Sequence, residues 1–246
     1  MEIGQLRRVS LKFRRRLQEI KYANPPDGFS WYGYDILNNL IHLDELLSGP
    51  NRDIFSTVGN GPILDVGAAD GDFAFLLESI GKSVEIIDLP TTNWNGLRGA
   101  YQLKELLDSK VLIHEIDVDG PFELSRQYGL VLFLGILYHL RNPLFALEKF
   151  ARYSKYLMLS SRVARFGPDG KISIDSLSVG YFLDPDECNK DATNWWIFSR
   201  PGLRKVVRRA GWEIVEERSV GEIRRSDPVR PDRDERMFLL LKSRFV

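Results

Sequence analysis

From residue 62 onward the chain alternates short apolar runs with longer stretches in which apolar residues recur every three or four positions. The short runs fit strands and the longer stretches fit amphipathic helices, and their alternation predicts a parallel sheet covered by helices. Strand candidates fall at 63–65, 84–87, 111–116, 130–134, 156–160, 212–217 and 236–242. The run 130–134 is apolar throughout, as a central strand buried on both faces would be. A helix over 73–79 packs Phe73, Leu76, Leu77 and Ile80 and stops at Gly81. Further helices fall over 97–107, from Asn142-Pro143 to residue 153, and over 201–210, where Ser199 is the cap and Gly211 the stop signal.

Two parts lie outside this alternation. Residues 1–58 predict a helical N-terminal extension, with Ile36, Leu37, Leu40, Ile41, Leu43, Leu46 and Leu47 at helical spacing. Residues 59–246 then form the α/β domain, interrupted at 163–198 by an insert rich in aromatic and acidic side chains. An insert that long is more often functional than accidental, so it is a candidate lid or substrate element.

At 246 residues and 43% hydrophobic, the chain can bury one substantial core with an added segment. Lys+Arg and Asp+Glu are both 34, which gives no overall pull toward nucleic acid or an anionic membrane. The charge is uneven, however: Arg7, Arg8, Lys12, Arg14, Arg15, Arg16 and Lys21 crowd the start, and Arg204, Lys205, Arg208 and Arg209 share a late helix. Solvated helix faces account for both clusters, and RNA or phosphate contact is the alternative. The lone Cys188 excludes an internal disulfide and a cysteine-based zinc site, and no metal is assigned. The first ten residues lack the apolar core of a secretion signal, and the longest apolar run, 130–137, is too short to cross a bilayer. The expectation is a soluble cytoplasmic protein.

The chemistry concentrates in the run from Ile63 to Phe73, where a short strand meets an acid, spaced glycines and a helix. Glycine lets the backbone bend tightly and approach a ligand, and the free N–H groups opening the helix point into the turn. A pyrophosphate wants such a turn free of acids, whereas Asp65, Asp70 and Asp72 crowd it with negative charge and favour a cationic ligand. Asp88, about twenty residues on and at a strand end, is placed to accept both hydroxyl hydrogens of a ribose.

Asp65-x-Gly67-x-Ala69-x-Gly71 resembles motif I of the class I S-adenosyl-L-methionine (SAM)-dependent methyltransferases, Asp/Glu-x-Gly-x-Gly-x-Gly, with Ala69 a small departure. The resemblance implies a Rossmann-like α/β fold, a seven-stranded mostly parallel sheet with helices on both faces and its last strand inserted antiparallel. It also implies SAM as cofactor, with Asp65, Gly67, Ala69 and Gly71 at the turn, Asp88 and Leu89 at the ribose, and Asp117 and Val118 at the adenine.

The segment Gly135-Ile136-Leu137-Tyr138-His139, followed by Pro143, is similar to the Gly-x-Leu-Tyr-His-x-x-x-Pro segment of a subgroup that includes the tRNA wobble-uridine carboxymethyltransferases. The likeness runs over roughly 60–216. By family position Leu134 and Gly135 line the methionine part of the cofactor, and Tyr138 and His139 face the transfer site. Transfer to oxygen or nitrogen needs alignment and removal of a proton. His139, with an ordinary pKa of about 6.5, is the natural base, and Tyr138 can orient the acceptor. The bland alternative for His139 is a hydrogen bond to the Asn142 turn. In the insert, Tyr181, Asn194, Trp195 and Trp196 are candidate substrate contacts, with packing on the N-terminal helix as the alternative for the tryptophans. Trp31-Tyr32-Gly33-Tyr34 presents the same choice.

The leading expectation is a SAM-dependent methyltransferase acting on oxygen or nitrogen of a small, ring-containing acceptor. Its alternatives are a tRNA base methyl- or carboxymethyltransferase, which neutral net charge disfavours, and a catalytically silent SAM-binding or partner-binding protein. A carboxylated SAM donor would need a cationic partner, and none is assigned. An NAD-dependent oxidoreductase is opposed by the three acids of the turn. The oligomeric state is left open.

Overall fold

The computed structural model describes residues 1–59 and 61–246. The chain divides into two compact units, Met1–Asp117 with Phe122–Leu132, and Val118–Pro121 with Phe133–Val246.

The first unit opens with α1 (Ile3–Ala23), whose Ile3, Leu6, Ser10, Phe13 and Leu17 recur every three or four residues and are the buried positions. The short helices α2 (Asn39–Leu46) and α3 (Ile54–Thr57) follow. Strands β1 (Ile63–Val66), β2 (Val84–Asp88), β3 (Leu112–Glu115) and β4 (Tyr128–Leu134, whose last residues lie in the second unit) run parallel in the order β3-β2-β1-β4. Every residue of β1 is buried, and α4 (Asp72–Ser79) adds Phe73, Ala74, Phe75, Leu76 and Leu77 to the same core. Helix α5 (Arg98–Leu106) links β2 to β3. β3 ends at Glu115, so Asp117 stands two residues beyond the strand tip rather than on it, and is exposed.

In the second unit, β5 (Ser154–Ala164) pairs antiparallel with β9 (Glu235–Ser243), and β9 pairs antiparallel with β8 (Trp212–Gly221). This is the late antiparallel strand that the family resemblance implied. The insert is not without structure: β6 (Gly180–Phe182) and β7 (Trp196–Ser199) pair antiparallel, and β7 runs parallel to the end of β5. Strands of three and four residues are too short to show an alternating pattern. They bring the described strands to nine.

Helices α6 (Pro143–Tyr153) and α7 (Arg200–Arg209) complete the unit. Ser199 caps α7 as expected, its Oγ accepting from Gly202 N–H at 3.0 Å. Asn142 does not cap α6. Its side chain donates to the Asp119 carbonyl, while the Asp119 carboxylate accepts the N–H groups of Arg141 and Asn142 at 2.8 and 2.6 Å, fixing the loop before the helix. Among the described residues no helix is long and apolar enough to cross a membrane, and no group of His, Cys, Asp and Glu is arranged to hold a metal ion.

Candidate functional site

The glycine turn follows β1. Gly67, Ala69 and Gly71 all adopt positive φ, at 67°, 53° and 84°. At Gly71 a Cβ would lie 2.8 Å from the Phe75 ring, so conformation and packing both demand glycine there.

The three acids of the turn divide by partner. Asp65, 6% exposed, accepts from the Ala74 backbone N–H, but its Oδ2 is buried without a hydrogen-bond partner. Burial first, and then the negative charge of Asp88, pushes the Asp65 carboxyl up to about 7. An orphaned buried carboxylate oxygen is costly unless something donates to it. The other two acids are occupied: Lys21 of α1 reaches Asp70 at 3.1 Å and Asp72 at 3.0 Å. Asp70 also accepts the Tyr32 N–H at 2.8 Å and the Asn95 amide at 2.8 Å. Burial opposes the Lys21 charge, yet Asp72 and Asp70 hold its pKa above the ordinary value. Of the three acids that crowd the turn, Asp70 and Asp72 thus already have a cation in Lys21 and anchor the N-terminal segment, and Asp65 alone keeps an oxygen without a partner. Trp31 belongs to the same anchor, with the Lys21 ammonium 5.4 Å from its ring centre.

Asp88, at the tip of β2, accepts from Leu89 N–H at 2.8 Å, from the Asn93 amide at 2.9 Å and from the Ala69 N–H. Burial raises its pKa and these bonds pull it back. A carboxylate offers about four lone-pair positions, so room remains for one incoming donor rather than the two expected of a ribose diol. Asn93 was invisible in the sequence; it ties the strand tip to the turn by also donating to the Ala69 carbonyl.

The second unit holds the other candidates. Gly135, at φ 82°, follows Leu134 at the end of β4 and donates its N–H to Ser160 O at 3.0 Å. Three residues on, Tyr138 is buried, and its hydroxyl accepts from Arg236 Nη1 at 3.2 Å. His139 does not bond the Asn142 turn. Its Nδ1 lies 2.8 Å from Thr193 Oγ1, and that hydroxyl donates to Asp191 Oδ1 at 2.6 Å. With its hydrogen committed to Asp191, the Thr193 oxygen accepts, so Nδ1 carries the imidazole hydrogen and Nε2 keeps a free lone pair. Burial lowers the His139 pKa, more than Asp191 raises it, and the ring is neutral at pH 7. Thr193 and Asp191 left no sequence signal beyond their place in an acidic insert.

The remaining insert residues have firm local partners. Asn194 is buried with its amide on the Cys188 carbonyl at 2.9 Å, and the Tyr181 hydroxyl donates to Glu187 at 2.9 Å. Trp195 gives its backbone N–H to the Tyr138 carbonyl at 2.7 Å and its ring lies under the Arg141 guanidinium at 4.9 Å, while Trp196 packs on Phe182 at 4.7 Å. Val118 is buried and Leu89 half-buried. Both basic clusters are partly spent on the chain's own acids: Arg7 on Asp44, Arg14 on Asp35, Arg204 on Glu217.

No curated protein matches the chain by sequence. Residues 49–217 match the methyltransferase domain family Methyltransf_23. Among solved structures, the N-terminal domain of EvdMO1, crystallised with S-adenosylhomocysteine (SAH), is 21% identical at a TM-score of 0.58, over 94% of this chain and 97% of that one. Against the EvdMO1 structure of greater length, the chain spans 47% of the protein. A methyltransferase structure from Bacillus halodurans C-125 is 16% identical at a TM-score of 0.56, over 77% and 96% of the two chains. The 1,6-didemethyltoxoflavin-N1-methyltransferase of Burkholderia thailandensis, solved with that substrate and SAH, is 18% identical at 0.52, over 78% and 75%. These likenesses establish a Rossmann-like α/β methyltransferase fold with a mostly parallel sheet. Taken with the family match across most of its length, they place this chain in the methyltransferase domain family.

Proposed function

We propose that the chain is a SAM-dependent methyltransferase that modifies an oxygen or nitrogen of a small, ring-containing acceptor, with His139 as base. The observation that carries this reading is the orientation of His139: the Thr193 hydroxyl oxygen accepts a hydrogen bond from Nδ1–H, so Nε2 presents a lone pair on a neutral ring. That is what removal of a proton at neutral pH requires. When bound, SAM supplies a methyl carbon made electrophilic by its sulfonium. The chain's residues fit that cofactor through Asp65, whose orphaned oxygen suits an ammonium group, and through Asp88, which has one position left for a ribose hydroxyl. The glycine turn at Gly67, Ala69 and Gly71 and the side chain of Leu89 are the further cofactor contacts of this reading in the first unit; Asp117, exposed beyond β3, is the weakest of them.

A small acceptor agrees with the neighbours, one of which was crystallised in the presence of SAH and D-fucose and another with 1,6-didemethyltoxoflavin. Transfer to tRNA would need a broad basic surface, and part of the basic charge here is already paired. Tyr138 positions the acceptor, and Tyr181, Trp195 and Trp196 supply aromatic walls; Asn194 serves them by holding the insert in place.

The test is thermal unfolding with SAM, SAH and NAD. A ligand at a hundred times its dissociation constant adds about 2.7 kcal/mol, so SAM and SAH should raise Tm by several degrees and NAD should not. Stabilisation by NAD alone, or by none of the three, overturns the reading.

A further inference from the structure

Arg162 of β5 and Arg236 of β9 stand directly opposite one another in the antiparallel ladder. Opposed residues leave the same face of a sheet, and like charges so placed destabilise it. Asp234 stands between them, with Oδ1 3.4 Å from Arg162 Nε and Oδ2 3.1 Å from Arg236 Nε. One acid thus serves two cations, and the two differ in what else they hold. Arg162, 3% exposed, is consumed by Cys188 Sγ at 3.1 Å and by the carbonyls of Asp227 and Arg230 at 3.1 and 2.7 Å. Arg236 is 35% exposed, and beyond Asp234 its only hydrogen-bond partner among the described residues is the Tyr138 hydroxyl. A guanidinium has more N–H donors than those two partners take.

The spare donors lie in a telling place. A Cβ built on Gly135 would sit 3.6 Å from Arg236 Nη1 and 3.6 Å from Tyr138 Oη, with no other atom nearby. The His139 ring is 4.4 Å from the Tyr138 ring, centre to centre, and feels the Arg236 charge. The other acid close to His139, Asp191, is engaged by the Thr193 hydroxyl and N–H.

We propose that Arg236 holds a carboxylate of the acceptor, so that the substrate class is a small hydroxy- or amino-substituted ring carboxylic acid. The proposal rests on the reading of His139 as base and names the acceptor for that same site. A planar guanidinium grips a carboxylate through paired N–H···O bonds, which fixes orientation as well as position. Asp234 at Nε and the Tyr138 hydroxyl at Nη1 hold the guanidinium, and the incoming anion compensates the excess charge of the arginine pair. Anchored there, the ring presents its hydroxyl or amine to His139, whose Nε2 takes the proton.

The experiment is calorimetric titration of the full chain, saturated with SAH, using two matched pairs of probes: salicylate against salicylamide, and 4-hydroxybenzoate against 4-hydroxybenzamide. At least one carboxylate should bind roughly tenfold or more tighter than its amide, the difference expected of a charge-assisted pair. Arg236→Gln should erase that preference and Arg236→Lys should keep part of it, with SAH affinity within about twofold of wild type in both. Equal affinity within each pair, failure of all four probes to bind, or a preference that survives Arg236→Gln overturns the proposal. Failure of SAH to bind the wild-type chain would instead remove the methyltransferase reading beneath it.

Discussion

Replacing Asp65 by Asn separates the cost of the orphaned carboxylate from its use. In the folded chain the group titrates at about 7 against an ordinary value of 3.8. That is roughly three pK units, each worth about 1.36 kcal/mol, so the ionised group costs the fold on the order of 4 kcal/mol. The sign follows from proton counting: between the two values the folded state holds a proton that the unfolded chain has released, so stability falls as pH rises from about 4 to about 7 and then levels. Asn keeps the shape and cannot ionise. Denaturant titrations at pH 5 and pH 8 should therefore show the stability of Asp65→Asn, relative to wild type, increasing by roughly 3 kcal/mol between the two, because part of the cost is already present at pH 5. The same substitution should weaken SAH by about tenfold or more, since the ammonium loses its charged acceptor. Wild-type binding should release protons near pH 6.5, visible as a dependence of calorimetric heat on buffer ionisation enthalpy. A stability difference that stays flat with pH, together with unchanged SAH affinity, would refute both the burial argument and the ligand assignment.

Asp88→Ala should weaken SAH by about tenfold, or about 1.4 kcal/mol, because the carboxylate has one free position and not two; unaltered affinity in calorimetry removes it from the site. Thr193→Val should shift His139 toward the Nε2–H form, read from nitrogen chemical shifts of the labelled chain, while Thr193→Ser restores the Nδ1–H form; an unshifted tautomer would show that the hydroxyl does not orient the ring. Lys21→Met should cost about 3 kcal/mol, the loss expected when one partner of a buried ion pair is removed and the acids are left uncompensated; a change below about 1 kcal/mol would mean that water or Asn95 already satisfies Asp70.

What the sequence disclosed was local. The turn from Asp65 to Gly71 was legible because a strand, glycines and a helix start must be contiguous to work, and the Ser199 cap because its partner Gly202 is three residues away. What escaped depends on distance along the chain. Lys21 meets Asp70 across 49 residues, His139 meets Thr193 across 54, and Tyr138 meets Arg236 across 98. Arg236 also sat inside a run that read simply as the last strand, where a charged residue looks like an ordinary solvent-facing position. Asn142 shows the converse: its place before Pro143 matched a cap, and the tertiary partner Asp119 took the side chain instead.

The position of Lys21 makes the first helix a tethered counter-ion. A dissolved cation would trade places with others in solution and weaken as ionic strength rises, but an ammonium fixed to α1 and 17% exposed keeps its post. Part of the charge balance at the glycine turn is thereby written into the covalent chain, and α1 is a working component of that turn.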